Sequence, residues 1–566
     1  MYADVRVKIP TEKGKITRKK IKGTTYIYYQ LQRVYDPEKK YSIPKSTPIG
    51  KSCDDDPAMM IPNEKYLMYF PDAMLPDEKQ RVHRSACLRV GAHMVLRKII
   101  AEYQLDTMLM DLLGKDSGLF LDLAVYTIIT ENNAGQYYPD YAYNHPLVTD
   151  KMRLYSDSKV SDFLSKITRS QSVEFLNRWN ENRDHREKVY LSYDSTNKNC
   201  QAGDVDFAEI GHAKDDKHKP VLNYSIAYDK HNSDPLFYEM YPGSIVDVSQ
   251  LQYMLEKTAG YGYRHVGFIL DRGYFAKENI RYMDQRGYDF VIMMRGMKKL
   301  SSEIIKKNRG TFEESRGKSI RRHRVSGTTV TGRLFPSDEQ DRYFHIYYND
   351  RKRTAEREQL EEKIDRMAAF LKAQEGKSEY ECPSVFSHYF EPFYHTQGDE
   401  KTFMFAREKQ DVIDDEIKLC GYFIIITSEK MSAAEAIDLY KSRDGTEKLF
   451  RGDKSYLGNR SLRVHSGESV GSKIFIEFVA LIIRNRFYWY LKEEMGRLGK
   501  KENFMTVPAA LRELEKIEMI RQADGNYRLD HAVTATQKKV LNAFGMTART
   551  IRNQAIGINE KLQMIH

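Results

Sequence analysis

Cysteine is scarce in this sequence: Cys53, Cys87, Cys200, Cys382 and Cys420 are the only five in 566 residues, and none forms a Cys-x-x-Cys pair. That excludes a zinc ribbon and a disulfide scaffold, and it fits a reducing compartment. Long hydrophobic runs are also missing. The longest, Ile474 to Ile483, is interrupted by Glu477 and is half of the ~20 residues a membrane helix needs. The opening Met1-Tyr-Ala-Asp-Val-Arg6 has no apolar signal core, so secreted and integral membrane classes are not expected and a cytoplasmic protein is. Tryptophan is limited to Trp179 and Trp489, and there is no internal repeat or low-complexity tract. Neither charge sign dominates. Lys and Arg number 90 against 80 Asp and Glu, a net charge of +10, which suits a folded protein with a basic bias and a phosphate-rich partner. What is present is 41% hydrophobic and 30% charged residues, enough for sizeable cores in several domains.

Charge and periodicity divide the chain. Residues 1–52 hold 13 Lys and Arg and 4 Asp and Glu, and Thr24 to Gln32 reads as a strand of aromatic and β-branched residues. The region 1–82 is therefore a basic β-rich module, a DNA-binding candidate with a solvated β-module as the alternative. Residues 83–186 turn helical, with helical spacing over Val90–Ile100 and Gly118–Thr130. A helix pair around Gly91–Leu113 could read DNA or could be core. From 187 to 299 strands and helices alternate, as in an α/β layer. Residues 300–428 break that rhythm and read as an α+β insertion. One charged helix there, Thr354–Lys372, carries a stripe of Leu360, Ile364, Met367 and Leu371, which should pack on the insertion's own strands. Residues 429–500 resume with helices, and 501–566 are polar and mostly helical.

Three carboxylates stand out. Asp194 closes Val-Tyr-Leu-Ser-Tyr-Asp and Asp271 closes Val-Gly-Phe-Ile-Leu-Asp, each expected at a strand tip. A buried carboxylate needs a partner. Two on adjacent strands would suit Mg²⁺, which prefers oxygen ligands; the alternative is that each caps a turn. Farther on, Tyr440, Arg443, Glu447 and Lys454 fall on one face of a helix drawn at 100° per residue. A carboxylate flanked by a phenol and two cations suits a metal-bound phosphate, whereas an ordinary solvated face would show similar spacing. Gly445 weakens that helix, and Gly452 would end it and leave Lys454 off the face.

The spacing Tyr440-x2-Arg443-x3-Glu447-x6-Lys454 resembles, at all four positions, the Tyr-Arg-Glu-Lys signature of DDE transposases of the insertion-sequence-four group. Asp194 in Tyr-Asp-Ser-Thr and Asp271 in Leu-Asp-Arg-Gly-Tyr resemble that family's two catalytic aspartates. Gly211-His-Ala-Lys-Asp-Asp-Lys-His-Lys-Pro resembles its basic loop between the first core strands, with Lys214, Lys217 and also Arg272 as implied DNA contacts. The resemblance covers about 187–490. It implies a ribonuclease-H-like mixed sheet flanked by helices, with 187–299 and 429–500 as the two halves of the catalytic core. It also implies two Mg²⁺ or Mn²⁺ ions on Asp194, Asp271 and Glu447, with Tyr440, Arg443 and Lys454 on phosphates of the element's end. The implied activity is cut-and-paste transposition: binding of terminal inverted repeats, strand cleavage and transfer into target DNA, by a homodimer in a synaptic complex. The region 501–566 is then a candidate interface. The sequence departs from many relatives, which carry Trp and Ile before the glutamate where this chain has Asp444, Gly445 and Thr446. Neither Trp179 nor Trp489 lies in the insertion, so the family's base-stacking tryptophan is not carried over. A nuclease without strand transfer, and a catalytically silent DNA-binding repressor, are the alternatives.

Weaker signals read as structure. Gly50-Lys-Ser lacks the first glycine of a P-loop and reads as a turn. His212 and His218 read as surface histidines in the basic loop, and Asp54-Asp-Asp as an acidic turn.

Overall fold

The computed structural model describes the chain apart from residues 1–4, 13, 22, 38–39, 54–55, 72, 74–83, 184–187, 201–204, 206–207, 210–219, 246, 398–399, 458–460, 465–466, 502–504 and 565–566. Two compact units are present, Met1–Arg84 and Ser85–His566. In the first, strands β1 (Val7–Lys8), β2 (Ile16–Ile21), β3 (Thr24–Asp36), β4 (Tyr41–Ser52) and β5 (Met59–Pro62) form one antiparallel sheet ordered β1-β5-β4-β3-β2. Alternation sends Ile27, Ile49 and Met60 to one face, where they pack with Val7 and Tyr66. The other face carries a cross-strand row of Lys19, Tyr26 and Lys51, with Lys19 Nζ 4.6 Å from the ring centre of Tyr28. Gly50 lies inside β4 and not in a turn: a side chain there would strike the backbone oxygen of Ile61 on β5, 2.8 Å away.

The second unit opens with β6 (Cys87–Arg89) and a layer of helices. Helix Gly91–Glu102 buries eight of its residues, and Ser117–Thr130 is buried nearly all round. Between them, Leu105–Leu113 has no Lys or Arg and exposes Asp111, a face that repels phosphate. Helix Gly91–Glu102 of the pair around Gly91–Leu113 packs into the core, and Asp111 on the other helix is paired with Arg178 at 3.2 Å.

The central sheet explains the alternating pattern. Strands β7 (Val189–Cys200), β8 (Val221–Asp229) and β9 (Asp234–Pro242) form an antiparallel meander. Helix Asp247–Gly260 leads to β10 (Val266–Leu270), parallel to β7, and helix Lys277–Arg286 leads to β11 (Asp289–Met293), parallel to β10. The order β9-β8-β7-β10-β11 is that of a ribonuclease-H-like core.

Part of the expected insertion does not stand apart. Strands β12 (Ser319–Ile320), β13 (Val325–Gly332) and β14 (Arg342–Tyr348), joined by a later strand, extend the same sheet beyond β11. The intervening piece has its own small core: helix Asp350–Lys372 lays Ile364, Met367 and Leu371 on Phe390 of β15 (Phe390–Gln397) and Phe403 of β16 (Glu400–Glu408). The chain then returns as β17 (Tyr422–Thr427), pairing antiparallel with both β11 and β14. The sequence reading missed this because strands that rejoin a sheet after a long excursion leave no local signal.

Helix Gly467–Arg497 is the spine of the unit. Ile474, Phe475, Phe478, Val479, Ile482 and Phe487 are all fully buried, as expected for a helix apolar on every side. Lys473, Glu477, Arg484 and Asn485 are buried within it as well. Among the described residues no helix is long and apolar enough to cross a membrane. A short β18 (Ser461–Leu462) precedes it and pairs with the end of β7. The C-terminal helices join the same core through Leu514, Leu541 and Ile551, and β19 (Glu518–Arg521) pairs with both β20 (Tyr527–Leu529) and β6.

Candidate active site

Asp271 lies where it was expected, one residue past the end of β10. Asp194 does not end its strand: β7 runs on to Cys200 because β8 pairs with it over Leu191–Asn199, and Asp194 sits mid-strand opposite Ile226. The polar run Ser195-Thr-Asn-Lys, which resembles a turn, is held in the strand by that ladder. The two aspartates still lie side by side. The last β7–β10 pair is Tyr193 with Leu270, so each aspartate is the next residue on its strand. Asp194 Oδ1 accepts the Ser195 N–H at 2.8 Å. After Asp271 the chain tightens into a short turn, Arg272–Tyr274, and the Tyr274 ring packs on Tyr193 with centres 5.3 Å apart.

The third carboxylate arrives on two short helices instead of one. Ala433–Lys441 is started by a capping box between Ser432 and Glu435. After a tightened step at Ser442–Arg443, the chain continues as Asp444–Arg451, here the glutamate helix. Gly452 opens a π-turn, Gly452–Tyr456, closed by Leu457 N–H to Gly452 O at 3.1 Å. Lys454 lies in that turn, so its place is not given by a 100° helical step.

Arg443 joins the carboxylates. Its Nη1 is hydrogen-bonded to Asp271 Oδ1, and its Nη2 donates to Glu447 Oε1 at 2.8 Å. The guanidinium also lies 5.3 Å from the Tyr440 ring centre. Burial alone would lower the Arg443 pKa, but Tyr440, Asp271 and Glu447 hold it above the usual arginine value. Tyr440 is buried among Ile269, Val291 and Ile425, and that burial pushes its phenol up to about 12. Tyr440 thus backs Arg443 and does not face solvent.

Two glycines fit the glutamate helix into place. A side chain at Gly445 would meet the Tyr228 ring at 3.2 Å, and Tyr228 accepts a 3.0 Å hydrogen bond from Trp489 Nε1. The Tyr228–Trp489 pair fills the space beside Gly445. At Gly452 a side chain would strike Arg484 Nη1 at 2.7 Å. Past this point Lys198, Asp453 and Glu477 form a sealed ion cluster, with Lys198 Nζ 2.5 Å from Asp453 Oδ2 and 3.2 Å from Glu477 Oε2. The sequence reading missed it, although strand alternation from Asp194 puts Lys198 on the same face of β7.

Among the described residues no group of three or more His, Cys, Asp or Glu side chains is gathered tightly enough to hold a metal ion. Between Asp271 and Glu447 the gap is filled by a cation already, the Arg443 guanidinium. The donors are all carboxylate oxygens from three elements, a set that fits a hard divalent ion in the guanidinium's place. Beside the site is a groove of about 560 Å³. Arg272, Arg295, Lys298 and Lys441 line it, over Met293 and Phe423. Lys214 and Lys217, with His212 and His218, lie outside the described residues.

The family profile described as "Transposase DDE domain" matches residues 189–483, more than half of the chain. No curated protein matches. Among solved structures, the piggyBac transposase synaptic complex with hairpin DNA is similar over 83% of this chain and 82% of that one, at 9% identity and a TM-score of 0.35. A pre-cleavage Mos1 transpososome is similar over 24% of this chain and 51% of that one, at 14% identity and a TM-score of 0.14. The Mos1 transposase paired-end complex with the left transposon end is similar over 30% and 57%, at 13% identity and a TM-score of 0.14.

Proposed function

The chain belongs to the DDE transposase family, and from that premise we propose that it is an insertion-sequence-four-type transposase that cuts and joins the ends of its own element. One observation carries the reading: Asp194 and Asp271 follow the last β7–β10 pair side by side, and Asp271 shares the Arg443 guanidinium with Glu447. Two Mg²⁺ or Mn²⁺ ions, held by these three carboxylates, would supply activation of the attacking oxygen and stabilisation of the leaving one.

The chain's own residues bind and orient the DNA. Arg443 gives up its two carboxylates and forks onto a phosphate, a geometry that guanidinium matches bidentately. Tyr440, fixed in the sheet core, holds the base of that fork in place. Lys454 takes a second phosphate from the π-turn. Arg272, Arg295, Lys298 and Lys441 accept the backbone as it leaves along the groove, where their charge makes binding salt-dependent. Terminal inverted repeats are the substrate and a homodimer pairs two ends. The basic face of the N-terminal sheet and the loop carrying Lys214 and Lys217 supply further contacts.

The deciding experiment incubates DNA carrying the element's ends with the protein and Mg²⁺ or Mn²⁺, then looks for end DNA covalently joined to a target plasmid. Joined products establish transposition. Metal-dependent cutting without joining identifies a nuclease, and specific binding without cutting a repressor.

A further inference from the structure

We infer that the buried cluster of Lys198, Asp453 and Glu477 is a positioning device: it pins the far end of the glutamate helix to the strand that carries Asp194. This rests on the reading of Glu447 as a metal-holding residue.

The geometry forms a closed loop. On β7, Asp194, Thr196 and Lys198 share one face, and four residues of strand span about 13 Å. From Glu447 to Asp453 is six residues, about 9 Å along a helix. Parallel pairing on this side of β7 stops at Tyr193 with Leu270 and resumes at Asn199 with Ser461. The glutamate helix packs against β7. At its near end Arg443 links Glu447 to Asp271; at its far end Lys198 links β7 to Asp453 in the π-turn. The near link is lost when Arg443 takes a phosphate. The far link then sets how far Glu447 lies from Asp194.

The far cluster is built to stay closed. Its side chains are 0%, 1% and 3% exposed. Lys198 Nζ also sits 4.7 Å from the Tyr224 ring centre, and Glu477 Oε1 accepts from Asn133 Nδ2 at 3.4 Å. Glu477 extends from the long helix, so the strand, the π-turn and the spine meet at one ammonium. Apolar side chains would fill the same space but would let the helix slide. A buried charge without its partner is unfavourable, so this contact has one register. The π-turn is what brings Asp453 inward, as π-bulges do at functional sites.

The test compares wild type with Asp453→Asn, Asp453→Glu, Lys198→Met, the double variant Lys198→Met/Asp453→Asn and the control Glu447→Gln. It measures Mn²⁺ affinity by calorimetry, single-turnover end cleavage, end-DNA affinity and thermal unfolding. The inference expects Mn²⁺ affinity and cleavage rate to fall 10- to 100-fold in Asp453→Asn and Asp453→Glu, well beyond any loss of end-DNA affinity through the neighbouring Lys454. Asp453→Glu keeps the charge and so tests position where Lys198→Met fails to fold. The double variant should regain stability without regaining cleavage. Cleavage that recovers in step with stability would overturn the inference and leave the cluster a plain structural contact. So would full Mn²⁺ affinity in Asp453→Asn and Asp453→Glu. Mn²⁺ affinity unchanged in Glu447→Gln would instead remove the premise, and the inference with it.

Discussion

The glutamate helix, only eight residues long, has an ion cluster at each end, each with a cation bridging two carboxylates, and at the far end the buried Lys473 also acts on Glu477. At the near end Arg443 sits between Asp271 and Glu447, whose side chains are 38% and 49% exposed. At the far end Lys198 sits between Asp453 and Glu477, and all three are sealed. The same composition therefore gives opposite properties. The near carboxylates are open to water, while the Arg443 side chain between them is 17% exposed. Nothing replaces the lysine of the far cluster, because each charge there was desolvated on folding. In the proposed mechanism the first cation leaves when substrate and metal come, and the second does not.

Four predictions probe that contrast. Lys198→Met leaves two carboxylates buried without their ammonium and should cost about 3–5 kcal/mol of stability. Denaturant unfolding would measure it, and a midpoint equal to wild type would mean the far cluster carries no unusual strain. The second concerns pH. Burial and the nearby Asp453 push the Glu477 carboxyl up to about 7, above its ordinary 4.5. The folded state therefore binds more protons than the unfolded state between those values, and stability should fall as pH rises from about 4.5 to 7. In Glu477→Gln that slope should flatten; an unchanged slope would assign it to other groups. Third, Arg443→Gln removes the exchangeable cation. Mn²⁺ should then bind roughly five- to tenfold more tightly without DNA, the scale of a modest coupling between sites. Calorimetry showing weaker binding would mean the guanidinium organises the carboxylates and does not compete with metal. The smallest effect is at Tyr228→Phe, which loses the hydrogen bond from Trp489 and should cost about 1 kcal/mol.

The residues of the near cluster are legible in the sequence, though not the Arg443 bridge between Asp271 and Glu447; the far cluster is not legible, for a physical reason. Asp271, Arg443 and Glu447 follow local spacings, a strand end and an i,i+4 step, and those spacings survive folding. Lys198 and Asp453 are 255 residues apart, and nothing local pairs them. The extent of β7 was misread on the same ground: Ser195-Thr-Asn-Lys is turn-like by composition, and the β8 ladder overrides it. The single helix expected from Tyr440 to Glu447 is broken at Ser442–Arg443, which no residue type announces. Gly452 ends the helix and leaves Lys454 off its face, as its residue type suggests; that Gly445 and Gly452 also make room for Tyr228 and Arg484 is not legible locally. The core strands of the sheet were visible as apolar runs. The extension by β13, β14 and β17 was not, because pairing across an excursion leaves no periodic mark.

The most direct measurement uses a plasmid carrying this gene with its natural flanking DNA. It is incubated with the protein and Mg²⁺ or Mn²⁺, with Glu447→Gln in parallel, and every break is mapped to the nucleotide. The account predicts metal-dependent breaks at two inverted end sequences, slowed at least 10²–10³-fold in the variant while end binding persists. Equal cutting by Glu447→Gln, or cutting scattered along the plasmid, would contradict it.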